Sequence, residues 1–186
     1  MEILAACVML WYVPVIIVTT LVHIFILRWR ILGKASYILL YSMGFAIFLG
    51  TLALIPYILR LRLNMPGYLI TVGFIIFAGG VIFLFWSYVT LSLRKLAWVN
   101  ELETASSQSS EPVTVGPYAL CRHPVYSAAI TIMVGTFLIS GVILLVVPLL
   151  AMYPLLVREE RELRQRFGES YLRYSQTTPL LLGLRR

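Results

Sequence analysis

Four long, almost unbroken apolar runs dominate the chain: Ile3 to Leu27, Tyr37 to Leu59, Tyr68 to Leu93 and Val125 to Leu156, with short charged stretches between them. About 20 apolar residues in a helix cross the roughly 30 Å hydrocarbon core of a bilayer, so each run is long enough to span. Over the 186 residues only 12% are charged, against about 25% in a soluble domain. These features exclude a water-soluble fold. The first run is too long for a cleaved signal, and Met1-Glu2 offers no basic start, so it is expected to stay as a membrane helix.

The fourth run cannot be one straight span. Its 32 residues would extend about 48 Å at about 1.5 Å per residue. Ser140-Gly141, near its middle, predicts a break into a helical hairpin. Charge placement supports the break. With five crossings and the N-terminus outside, all but two of the 15 basic residues lie inside: Arg28, Arg30 and Lys34, then Arg94, Lys95 and Arg122, then every arginine from Arg158 onward. Arg60 and Arg62 alone fall outside. A single crossing would put the C-terminal arginines outside, against the positive-inside rule.

The expected fold is therefore an all-α integral membrane protein of about five transmembrane helices. The last two form a hairpin, and a cytosolic C-terminal helix follows. Residues 1–96 read as a three-helix membrane scaffold, and residues 97–186 as a polar loop, the hairpin and the final helix, in one continuous membrane domain. Cys7 and Cys121 fall on opposite sides and are not expected to pair. The net charge of +7 sits beside the spans, which points to anionic lipid headgroups and away from nucleic acid.

Glycines within the spans, Gly44, Gly50, Gly73, Gly79 and Gly80, suit close helix packing. His23 has no second histidine or carboxylate at ligand spacing, so no metal is expected. The stretch from Trp98 to Val115, with Ser106-Ser107-Gln108-Ser109-Ser110, reads as a linker or a lid. In the helix beginning at Arg158, Glu160/Arg164 and Glu162/Arg166 are four apart. Gly168 is expected to end or kink that helix. Tyr171, Leu172 and Tyr174 are expected to hold the tail at the membrane surface, with Pro179 to Leu184 as a further apolar contact.

Polar residues suited to chemistry concentrate at two places, which the hairpin brings to one face. The first is Gly116-Pro117-Tyr118-Ala119-Leu120-Cys121-Arg122-His123-Pro124-Val125-Tyr126, and the second is Arg158-Glu159-Glu160. Each alone has a plain explanation: Pro124 begins a helix, Arg122 and His123 anchor at headgroups, and the glutamates form a solvated face. Together, Gly-x-Tyr-x-x-x-Arg-His-Pro-x-Tyr before a hairpin and Glu-Glu leading to Phe167-Gly168-Glu169-x-Tyr171-x-x-Tyr174 closely resemble the isoprenylcysteine carboxyl methyltransferase family. Membrane phospholipid methyltransferases look similar in the same region. The resemblance covers about Arg94 to Tyr174.

The resemblance implies an S-adenosylmethionine pocket at the cytosolic face. Val113, Gly116, Tyr118, Arg122, His123, Pro124, Val125, Tyr126 and Glu159 would contact that cofactor, with Arg158 and Glu160 as candidates for acceptor orientation or proton removal. No metal is implied. The cofactor carries a carboxylate, an ammonium, an adenine and a sulfonium. Arg122 or His123 suits the carboxylate, Glu159 or Glu160 the ammonium, and Tyr118 and Tyr126 the adenine or sulfonium. The methyl acceptor is expected to be lipid-like or prenylated and to enter from the bilayer. Leu155 stands where the family commonly has an arginine, and Gln176-Thr177-Thr178-Pro179 lacks the usual basic residue, which leaves the acceptor open. A phospholipid amine methyltransferase, a membrane reductase and a non-enzymatic scaffold are the alternatives.

Overall fold

The computed structural model of the chain describes residues 2–10, 12, 34–90 and 112–183. His23, the loop after the first apolar run and most of the 98–115 stretch lie outside the described residues. The regular elements among them are all helices, joined by turns and irregular segments, with one isolated bridge between Arg62 and Val142. After a helical segment over residues 2–10 come α1 (Lys34–Ile58), α2 (Gly67–Thr90), the short α3 (Pro117–Leu120), α4 (Pro124–Ser140), a 3-10 turn (Ile143–Val146), α5 (Val147–Phe167) and α6 (Glu169–Thr177). They divide into two compact units, Met1–Ile75 with Met133–Leu155, and Ile76–Ile132 with Leu156–Arg186.

Helix α2 has the construction of a bilayer helix. Gly73, Gly80 and Ser87, seven apart, are buried, while Val72, Phe74, Ile75, Val81, Ile82, Phe85, Trp86 and Val89 are exposed. A water-soluble helix places its large apolar residues inward. Here the small residues face protein and the large ones face outward, as lipid solvation requires. Among the described residues α2 is the one helix both long and apolar enough to cross a membrane, while Ser42–Ile58 and Pro124–Ser140 form shorter apolar helices. Hydroxyls within these helices satisfy themselves: Thr51, Ser87, Thr131 and Ser140 each donate to the carbonyl four residues earlier, the local solution available where water is absent.

The glycines mark where α4 approaches. In the first unit, a Cβ on Gly73 would lie 2.9 Å from Ile139 Cγ1 and 3.0 Å from the Gly135 carbonyl oxygen. In the second, a Cβ on Gly80 would lie 2.9 Å from the main-chain nitrogen of Ile132. The neighbouring Gly79 has nothing within 4 Å of the same position. Gly80→Ala is therefore expected to cost about 1–3 kcal/mol by overpacking, whereas Gly79→Ala should be neutral or stabilise by up to about 1 kcal/mol through helix propensity. Unfolding midpoints of the two variants in detergent check the contrast.

The fourth apolar run breaks where the sequence predicts. Helix α4 stops at Ser140, and Gly141 adopts φ +70°, a left-handed conformation that favours glycine. The break is also pinned from outside. Leu63 N–H donates to the Gly141 carbonyl at 2.9 Å, and Ile143 N–H to that of Leu61 at 3.4 Å. A Cβ at Gly141 would fall 2.0 Å from the Leu63 carbonyl oxygen. Farther along, α5 ends at Phe167, and Gly168 (φ +55°) turns the chain into α6.

Candidate functional site

The loop before α4 is built from local rules. Gly116 (φ +61°) precedes Pro117, which starts α3, and Cys121 returns to extended backbone. Pro124 then occupies the first position of α4, where its missing N–H costs nothing. The Ser127 N–H donates to the His123 carbonyl, closing the first turn. Arg122 and His123 are thus fixed at a helix entrance. Glu160 lies far along α5, on the row that continues Met152 and Leu156 at intervals of four, both buried, so the helix carries its carboxylate into the protein.

Glu160 is the centre of the cluster. Its Oε1 accepts from His123 Nε2 at 2.7 Å and from the Tyr171 hydroxyl at 2.5 Å. Its Oε2 accepts from Arg122 Nη1 and lies 3.7 Å from Arg164 Nη2. The side chains of Arg122 and Glu160 are each only 10% exposed. Residues 38 apart in sequence therefore meet, and Gly141 falls midway between them. The other nitrogen of His123, Nδ1, lies 3.9 Å from Glu159 Oε2. Glu159 is more open, with a side chain 35% exposed.

Burial pushes the Glu160 carboxyl up. The hydrogen bonds from His123 and Tyr171, with the charges of His123 and Arg122, outweigh it and hold the group below its ordinary value of 4.5. A carboxylate so placed keeps its charge and makes a poor proton acceptor. The folded value is below the unfolded one, so the stabilisation is complete above 4.5 and disappears as pH falls through the lowered value. Unfolding midpoints in detergent should accordingly stay level from neutral pH down to about 5 and fall below it, with Glu160→Gln losing most of that acid-side slope.

Burial also raises the Tyr118, Tyr171 and Tyr174 hydroxyls, so all three remain neutral donors at physiological pH. Tyr171 is 1% exposed and Tyr174 8%. The Tyr174 hydroxyl donates to the Tyr118 carbonyl. Tyr171 and Tyr174, expected from sequence to lie at the membrane surface with Leu172, instead face inward, three apart on the short helix α6, while Leu172 is exposed. The available signal was their i, i+3 spacing directly after a glycine break.

Of the residues singled out from sequence, Arg122, His123, Glu159 and Glu160 converge. Pro124 is fully buried beside them, and the Tyr126 ring meets His123 edge to face at 5.7 Å. Tyr118 is half-buried and close enough to Glu159 to feel its charge. Gly116 stands against Thr90, whose Oγ1 would lie 3.1 Å from a Cβ there. Val113 and Val125 are half-buried. Arg158 donates from Nε to Glu162 Oε1 at 3.0 Å, an i, i+4 pair apart from the contacts around Glu160.

The helix construction and the buried ion cluster define a helical membrane protein with a polar site at a helix entrance. The chain belongs to the phospholipid methyltransferase family, whose model matches residues 68–170, more than half of its length. That stretch runs from α2 through Glu159 and Glu160, and this is a family of membrane methyltransferases. The family agrees with the resemblance read from Gly116 to Tyr126 and from Glu159 onward. A relative, the nickel-cobalt-cadmium resistance protein NccN of Alcaligenes xylosoxydans xylosoxydans, is 33% identical over 95 residues. The match covers 49% of this chain and 44% of the relative. No solved structure matches the chain.

Proposed function

We propose that the protein is an S-adenosylmethionine-dependent membrane methyltransferase that acts on a lipid-like or prenylated acceptor reached from the bilayer. The observation that carries this reading is the closure of Arg122-His123 onto Glu159-Glu160 within the region the family matches. The donor set fits a zwitterionic amino-acid group. Arg122 Nε is buried and has no hydrogen-bond partner among the described residues, and the half-exposed Glu159 supplies a carboxylate. One unmet donor and one open acceptor are what a carboxylate and an ammonium require.

In this reading Arg122 orients the cofactor's carboxylate and Glu159 its ammonium. Tyr118 and Tyr126 offer aromatic faces, and Val113, Gly116, His123, Pro124 and Val125 complete the wall. When bound, the cofactor supplies an electrophilic methyl group on sulfur. Glu160 holds Arg122 and His123 in register, and Arg158 remains the candidate for acceptor orientation. The protein's contribution is alignment in a site closed to water.

Five crossings, with the N-terminus outside and the site and C-terminus cytosolic, are the topology proposed. In the first unit, Glu2 pairs with Arg62, and Arg62 bridges to Val142. The N-terminus, the loop after α1 and the hairpin tip thus meet at one end, as three outer segments would. Residues 1–96 as scaffold and 97–186 as catalytic half complete the arrangement. The relative's name ties that protein to metal resistance; among the described residues no group of three or more His, Cys, Asp or Glu is arranged to hold a metal ion, and the proposal invokes none.

The test is transfer from methyl-labelled cofactor by protein in vesicles containing phosphatidylethanolamine, and in parallel with a prenylated cysteine. Label that base releases as methanol identifies a carboxyl acceptor, and base-stable label in phospholipid identifies an amine. Label in neither, with cofactor-binding protein, would sink the lipophilic-acceptor reading.

A further inference from the structure

We propose that the C-terminal segment Tyr171 to Leu182 is a positioning strap that sets the geometry of the Tyr118–Ser127 loop, and that the site's affinity for its cofactor depends on it. The proposal rests on the functional reading above. It concerns residues beyond the family match, which ends at residue 170.

Four links tie the segment to the loop, each to a different residue. The Tyr174 hydroxyl holds the Tyr118 carbonyl. The Arg122 N–H donates to the Pro179 carbonyl at 2.9 Å, and the His123 N–H to the Leu180 carbonyl at 3.2 Å. The Leu182 N–H donates to Ser127 Oγ at 3.0 Å. A fifth contact reaches the cluster itself, from the Tyr171 hydroxyl to Glu160. Within the strap the chain leaves α6 at Thr178, which is buried and extended and whose N–H caps the helix on the Tyr174 carbonyl. Pro179 to Leu184 is expected from sequence to make an apolar contact; within its described part, the main-chain groups of Pro179, Leu180 and Leu182 also form hydrogen bonds.

The strap meets a need of the loop. Arg122 and His123 precede α4, outside its ladder, so their N–H groups have no helical acceptor, and buried main-chain donors must find partners. Pro179 and Leu180 provide them. Their loss would free the two residues whose side chains meet Glu160, while α4 and α5 would keep their own hydrogen bonds. Coupling of this kind is reciprocal: if the strap strengthens cofactor binding, bound cofactor must hold the strap closed.

The experiment uses full-length protein in detergent. Leu182→Pro removes the N–H that reaches Ser127, and Tyr174→Phe removes the hydroxyl that reaches Tyr118. S-adenosylhomocysteine affinity and amide exchange are measured for each. Expected are a fall in affinity of about tenfold or more, faster exchange at Arg122 and His123, unchanged exchange in α4, and slower exchange over residues 178–183 when wild type binds ligand. Wild-type affinity in both variants overturns the proposal. If wild type binds no ligand, the functional reading falls, and exchange alone judges the strap: faster exchange at Arg122 and His123 in Leu182→Pro supports it, and unchanged exchange overturns it.

Discussion

Replacing Glu160 with alanine should lower stability by roughly 3–5 kcal/mol, the cost of breaking a buried ion pair from one side. The Arg122 guanidinium would remain nine-tenths buried with its charge uncompensated, and His123 and Tyr171 would each lose an acceptor. Glu159→Ala should behave differently. Its side chain is one-third exposed, and its described ion-pair contact is a 3.9 Å approach to His123, so stability should stay within about 0.5 kcal/mol of wild type, while cofactor binding is lost. Unfolding midpoints measured beside ligand affinity separate the adjacent carboxylates. Equal destabilisation by both would contradict the assignment of Glu160 as the structural centre.

Gly141→Ala should be nearly as damaging. The residue has φ +70°, which costs a non-glycine residue about 1–2 kcal/mol. The added methyl would also overlap the Leu63 carbonyl oxygen, 2.0 Å away. Relief requires opening the two main-chain hydrogen bonds that join residues 61–63 to Gly141 and Ile143, each worth about 1 kcal/mol. The total expected loss is about 3 kcal/mol or more. Gly168→Ala is the internal control, since its φ is +55° but nothing lies within 4 Å of a Cβ there. It should lose only the conformational share, about 1 kcal/mol. Equal losses would show that the contact with Leu63 does not pin the hairpin.

The hairpin and the two polar stretches were legible because they rest on local rules. Helical residues beyond bilayer length demand a break, Ser140-Gly141 is where the chain can supply one, and Pro124 marks a helix start. Which of Glu159 and Glu160 is buried was not read from the motif, although the row through Met152 and Leu156 carried the information. The inward turn of Tyr171 and Tyr174 depends on Gly168 redirecting α6, a tertiary effect that spacing alone leaves ambiguous. The strap was hidden for a deeper reason. Its bonds use main-chain groups of Arg122, His123, Pro179, Leu180 and Leu182, and side-chain identity carries little information about main-chain pairing between distant segments. Helix length within the described residues shows a single clear span, so the five-crossing topology rests on charge placement and on the meeting of Glu2, Arg62 and Val142.

On the proposed function, the cluster around His123 and Glu159 holds S-adenosylmethionine. Calorimetric titration of detergent-purified protein with S-adenosylmethionine and S-adenosylhomocysteine tests it directly, with Glu159→Ala and His123→Ala in parallel. Saturable binding of both ligands to wild type and at least tenfold weaker binding to each variant are expected. Well-folded wild-type protein that binds neither ligand, or binding that both substitutions leave intact, would contradict it.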